Sequence, residues 1–194
     1  MSHQTDGSCI DIEMSRQYSS KARSSFSDKT GKQSGQGLTW SACIGLVLLA
    51  TALYCGRCAE KELVRLHRHW LDIFPPKHGR LVDRGFRYTT KWYKNLVRAF
   101  LPAGLAGKPK DSKFFTHAEV IDARKQSADR YTCEAVFSRV KQFRVLTGRQ
   151  PIHNLQYINS AWYVAHMVAN MYKPLAKPDT LDEWRSERDA SANM

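Results

Sequence analysis

Apolar positions fall into blocks of different period along the chain. The longest block is residues 38–56, nineteen residues without a charge. Its length suits a membrane-crossing helix, because roughly twenty apolar residues span a bilayer, and Arg57, Lys61 and Arg65 follow it. It also reads as two buried strands with a break near Gly45, since strands covered on both faces are continuously apolar. Next, Leu63, Leu66, Trp70 and Phe74 recur at helical spacing, and Pro75-Pro76 stops that element. Residues 79–86 read as a short strand that leads into Asp83 and turns at Gly85. From Tyr88 to Leu101, Lys91, Lys94 and Arg98 return to helical spacing beside Trp92, Tyr93, Leu96 and Val97. Thr116 with Glu119 forms a capping-box pattern for a helix expected to run through Lys125. A separate helix is expected after it, with Cys133, Val136, Phe137, Val140 and Phe143 as its buried stripe. Ile152, Leu155, Ile158, Trp162, Ala165, Val168 and Met171 make the last stripe, and Pro174 ends it.

The rest of the chain is polar. Residues 1–37 are serine-rich, only Cys9 to Met14 looks ordered, and composition predicts a disordered arm. A Gly/Pro/Lys loop from Ala103 to Ser112 carries Lys108 and Lys110, which suits phosphate contact or plain solvation. Residues 176–194 read as a charged tail. Hydrophobic content of 42% with 11% aromatics excludes a wholly disordered chain. Thirty basic against eighteen acidic residues give +12, which points to an anionic partner, nucleic acid first and an acidic membrane surface second. Five cysteines and no cleavable leader suggest a reducing compartment. Cys55 and Cys58 with His67 and His69 fit no usual zinc spacing, so they are read as structural or incidental thiols.

Two carboxylates have informative neighbours. Asp83 sits at a predicted strand end before a glycine, a placement that serves sites at sheet edges and, more commonly, turns. Glu134 shares a helix face with Arg130, Ser138 and Lys141, which is either a reactive carboxylate bracketed by cations or a solvated face of ordinary ion pairs. Taken together, Leu81 to Phe86, Phe100 to Lys108, Phe115 to Val120 and Arg130 to Phe143 resemble, in order and spacing, the second half of a DDE-type transposase catalytic domain. The likeness is to the DDE superfamily endonuclease group that includes the Harbinger-like and THAP-associated transposases. Tyr54 to Glu62 looks like that family's glycine-arginine, acid-lysine segment.

The resemblance implies an α/β fold: a ribonuclease H-like mixed sheet flanked by helices, incomplete at its N-terminal end. It implies a disordered 1–7, a catalytic domain over 8–175 and the tail. Catalytic and metal-binding roles fall on Asp83, Glu134 and, on the first strand, Asp11, with Mg²⁺ or Mn²⁺ in a two-metal site. Arg84, Lys91, Lys94, Lys108, Lys110, Arg130 and Lys141 are the expected DNA contacts. The implied activity is metal-dependent DNA cleavage or strand transfer in the nucleus, by a truncated or domesticated core without its own DNA-binding domain. A separate targeting protein and a homodimer are the expected associations. Two alternatives stay open: a non-catalytic DNA- or protein-binding derivative of the fold, and a single-pass membrane protein anchored by residues 38–56.

Overall fold

The computed structural model describes residues 2–14, 23–74, 78–92, 96–100 and 114–175. Among the described residues, seven strands form one mixed sheet: β1 (Ser2–Asp11), β2 (Phe26–Ser27), β3 (Lys32–Ala42), β4 (Val47–Ala50), β5 (Tyr54–Cys55), β6 (His78–Val82) and β7 (Leu96–Phe100). The order is β2-β3-β1-β6-β7, with β4 and β5 also paired to β3. β1 is antiparallel to β3 and parallel to β6, and β6 is parallel to β7. Among the described residues, helices α1 (Glu60–Leu66), α2 (His117–Lys141) and α3 (Leu155–Ala169) flank the sheet. This is the ribonuclease H-like α/β arrangement that the resemblance implies.

Each face of the sheet has its own core. On one side Ile10 of β1 packs with Cys133, Val136, Phe137 and Val140 of α2 and with Ile158, Trp162 and Ala165 of α3. On the other, Leu38 and Trp40 of β3 and Val82 of β6 pack with Leu63 and Val64 of α1 and with Leu71, Phe74 and Phe86. Alternation along β3 separates the faces, as a two-residue period requires.

β1 corrects the expectation of a disordered 1–7: it begins at Ser2 and lies between two partner strands. Apolar patterning hid it, because its buried residues include His3, Gln4, Thr5 and Ser8. Among those polar groups, Gln4 Nε2 donates to Thr132 Oγ1 at 2.8 Å, and Thr5 Oγ1 is buried without a hydrogen-bond partner. The run 38–56 is not a helix. β3 ends in it, Gly45 turns the chain at φ +85°, and β4 and β5 follow. Among the described residues no helix is long and apolar enough to cross a membrane.

Three further expectations change. Residues 60–74 split into α1 and a 3-10 helix, Arg68–Ile73. Residues 88–101 hold the end of a second 3-10 helix (Arg84–Trp92) and then β7, because pairing with β6 outweighs the helical spacing of its side chains. Helix α2 is continuous from His117 to Lys141, there being no glycine or proline in it to divide it. Its capping box forms as expected: Thr116 Oγ1 accepts from Glu119 N, and the Glu119 carboxylate accepts from Thr116 N at 2.8 Å.

Helix α3 is fastened to the β3–β4 side of the sheet by polar contacts inside its apolar face. Trp162 Nε1 donates to Thr51 O at 3.0 Å while its ring lies over Gly37. Asn159 Oδ1 accepts from Leu53 N, and Asn170, at the helix end, accepts from Val47 N and donates to Val47 O. His166 Nδ1 lies 2.8 Å from Trp162 O, which can only accept, so Nδ1 carries the proton and Nε2 accepts from Thr39 Oγ1. Met171, placed in the buried stripe by spacing, lies past the helix and is exposed.

Candidate active site

The site lies where β6 stops and β1 continues. Parallel pairing runs from Ser2↔Gly79 to Thr5↔Val82, so the next residues, Asp6 and Asp83, fall side by side beyond the C-terminal end of β6. Crevices at such strand ends are where sheets with helical crossovers build their sites. Asp83 leads into the 3-10 helix, with Phe86 N donating to its carbonyl at 3.0 Å. On β1, the side of Asp6 is the side of Gln4 and Ile10, which faces α2.

Helix α2 brings a cation to this pair. Arg130 Nη2 lies 3.5 Å from Asp6 Oδ2, and Nη1 lies 3.4 Å from Asp83 Oδ1. One guanidinium thus bridges carboxylates from two neighbouring strands. Asp6 Oδ1 accepts from Gly7 N at 2.8 Å. Burial raises the Asp6 carboxyl above its ordinary pKa; the Gly7 amide and Arg130 oppose this, and nearby Glu60 adds a smaller upward push.

Glu134 lies one helical turn beyond Arg130. It is exposed, and it lines an open pocket of about 610 Å³ together with Asp6, Ser8, Ser138 and Lys141. Beneath that face, burial pushes the thiol of Cys133 up to about 12, so it serves the core as an uncharged group.

The structure therefore gathers Asp83, Glu134, Arg130 and Lys141 of the expected residues around Asp6. It does not bring Asp11 there. Asp11 is five residues further along β1, which is roughly 17 Å and the opposite face of the strand. Its carboxylate pairs instead with Lys32, Oδ2 to Nζ 3.2 Å. Lys91 is exposed near the end of the 3-10 helix. Lys94, Lys108 and Lys110 lie outside the described residues, as does the side chain of Arg84. The sequence signal for Asp6 was its Asp-Gly dipeptide, which echoes Asp83-Arg84-Gly85, but it sits among polar residues that conceal the strand.

Asp6 and Asp83 fit a hard divalent cation. They already share one cation within 3.5 Å, that of Arg130, and they offer only carboxylate oxygens. Among the described residues no three His, Cys, Asp or Glu side chains are gathered closely enough to hold a metal by themselves. A pair of carboxylates is nevertheless a common provision for Mg²⁺, which keeps most of its waters.

No curated protein and no solved structure is detectably similar to the chain. The family described as DDE superfamily endonuclease matches residues 5–170, a span that starts one residue before Asp6 and includes Asp83, Arg130 and Glu134. With a mixed sheet that sets Asp6 and Asp83 side by side and a helix that brings Glu134 to the pocket lined by Asp6, this chain belongs to the DDE superfamily endonuclease family.

Proposed function

We propose that the chain is the catalytic core of a divalent-metal-dependent DNA endonuclease or strand-transfer enzyme of the Harbinger-like and THAP-associated transposase group, acting in the nucleus. Asp6, Asp83 and Glu134 are its three acids, with Asp6 in the role that the resemblance assigns to Asp11. The observation that carries this reading is the placement of Asp6 and Asp83 on neighbouring parallel strands, bridged by Arg130, with Glu134 lining the same pocket as Asp6.

Divalent ions held by such acids supply, when bound, activation of a water or a 3′-hydroxyl and stabilisation of the leaving oxygen during phosphoryl transfer. The chain's own groups prepare for this. Asp6 and Asp83 converge from a rigid sheet, so their oxygens need little reorganisation. Arg130 holds them apart from mutual repulsion, and its donors match phosphate as well as carboxylate. Lys141, lining the pocket with Glu134, is placed to take a phosphate of the DNA backbone. The net charge of +12 attracts that backbone without regard to sequence.

The test is cleavage of supercoiled plasmid by the purified chain with Mg²⁺ or Mn²⁺. Asp6→Asn, Asp83→Asn and Glu134→Gln are each expected to lower the rate at least a hundredfold, and Asp11→Asn to leave it unchanged. Equal cleavage by wild type and Asp6→Asn removes the proposed site. Salt-sensitive DNA binding without cleavage, indifferent to all three acids, assigns the chain to the non-catalytic class instead.

A further inference from the structure

At the β2 edge of the sheet the usual order of burial is reversed. Ser25 and Ser27 are buried, at 4% and 3% exposure, while Phe26 between them is 38% exposed. A slip of one residue would turn the ring inward, since alternate residues of a strand face opposite sides. The register holds it out: Phe26 pairs with Gln33 and Ser27 with Lys32. A single exposed aromatic ring is ordinary on a protein surface. This one, however, lines a pocket of about 290 Å³ together with Arg23, Gln33 and Arg57.

Three stretches distant in sequence build that pocket. The backbone N of Arg57 donates to Ser24 O at 3.1 Å, which ties the turn after β5 to the segment before β2. Gly56 lets that turn close, because a Cβ there would stand 2.6 Å from Ser25 O. Ser25 Oγ donates to Gln33 Oε1, which leaves the Nε2 group of Gln33 as a donor for a ligand. Among the described residues, no carboxylate pairs with Arg23 or Arg57, and none lines the pocket. A flat apolar ring, an amide donor and two cations, with no acid, suit a ligand that is aromatic, polar at its edge and anionic. A nucleotide is all three.

The pocket lies at the same end of the sheet as the proposed acids, past the level where β6 stops. Asp6 pairs with Thr39 on β3, and Gln33 is six residues back along that strand, roughly 20 Å. We propose that Phe26, Gln33, Arg23 and Arg57 form a subsite for an unpaired nucleotide of the DNA strand, with its base on the Phe26 ring and its phosphates on the two guanidinium groups. A base face is open to a ring only where the strand is single, so the subsite selects single-stranded over duplex DNA. This inference rests on DNA as the substrate.

The test is binding of a short single-stranded oligonucleotide carrying a fluorescent adenine analogue, and of a duplex of the same sequence, in chelator so that neither is cut. Phe26→Leu keeps an apolar side chain but removes the ring. It is expected to weaken single-strand binding about tenfold, the scale of one lost base stack, to abolish quenching of the analogue and to leave duplex binding unchanged. Arg23→Gln and Arg57→Gln are each expected to lower the slope of log affinity against log salt by about 0.7, whereas Phe26→Leu leaves the slope alone. All three side chains are exposed, so melting temperatures are expected to stay at the wild-type value. Wild-type single-strand affinity in Phe26→Leu, or an equal loss on the duplex, overturns the subsite. So do unchanged salt slopes in both arginine variants. These results leave Asp6, Asp83 and Glu134 untouched, whereas a wild type that binds neither form of DNA overturns the function proposed above.

Discussion

Lowering the pH from 7 to 5 protonates His166 in the unfolded chain but not in the folded one. The imidazole is buried, and burial, opposed only in part by its bond to Trp162 O, depresses its pKa from 6.5 to about 4. Protonating Nε2 would also require the Thr39 hydroxyl to turn from donor to acceptor. A histidine with a depressed folded pKa favours the unfolded state as acid is added. Its stabilising effect is intact above 6.5 and is lost as pH falls toward 4. At 1.36 kcal/mol per pKa unit, the loss is about 2 kcal/mol between pH 7 and 5 and about 3 kcal/mol by pH 4. With a urea dependence of about 2 kcal/mol per molar, the first figure moves the midpoint by about 1 M. The assay is urea unfolding at pH 7 and pH 5 for wild type and His166→Gln, so that other titrating groups, among them Asp6 with its opposite shift, cancel in the difference. His166→Gln is expected to be less stable at pH 7 and much less sensitive to acid. Equal pH dependence in the two proteins would refute the reasoning.

Other perturbations test other parts of the fold. Gly56→Ala would set a methyl against Ser34 Oγ and 2.6 and 2.7 Å from the carbonyl oxygens of Ser25 and Ser34; two of these three are backbone atoms that cannot turn aside, so a loss of about 2–3 kcal/mol is expected by thermal or urea unfolding. Arg130→Met leaves Asp6 and Asp83 facing each other without their cation and is expected to cost about 1–2 kcal/mol in chelator, a loss that Mn²⁺ reverses; unchanged stability in chelator would mean that the bridge is loose in solution. Thr116→Ala removes the capping box of α2 and is expected to cost about 1 kcal/mol, with the first turns of the helix losing hydrogen-exchange protection before the segment that carries Glu134.

How much of this was legible in the sequence depended on whether burial was apolar. Helix α2 announced its core stripe through Cys133, Val136, Phe137 and Val140, and its start through Thr116 and Glu119. Asp83 and Arg130 were marked by their neighbourhoods, and the structure brings the two together. The first half of β1 was not legible, because the middle of this sheet buries His3, Gln4, Thr5 and Ser8, and no hydropathy pattern distinguishes a buried glutamine from an exposed one. With the polar start of the strand hidden, the first acid is sought at Asp11, where the run turns apolar, and not at Asp6, which the geometry places beside Asp83. β7 was misread for a different reason: its helical spacing is local, whereas its pairing with β6 is not.

The two asparagines that tie α3 to the sheet do more than hold a helix in place. Val47 has both its amide and its carbonyl engaged by Asn170, and the Leu53 amide is engaged by Asn159, so main-chain groups beside the outermost short strands are already occupied. Unpaired groups of that sort form a template on which another chain can add a strand. The stretch at stake is the most apolar in the protein, the same residues 38–56 whose composition suits a bilayer. Side-chain amides from a helix thus act as a selvedge on the cloth, finishing a border that would otherwise ravel into aggregates whenever the sheet breathes.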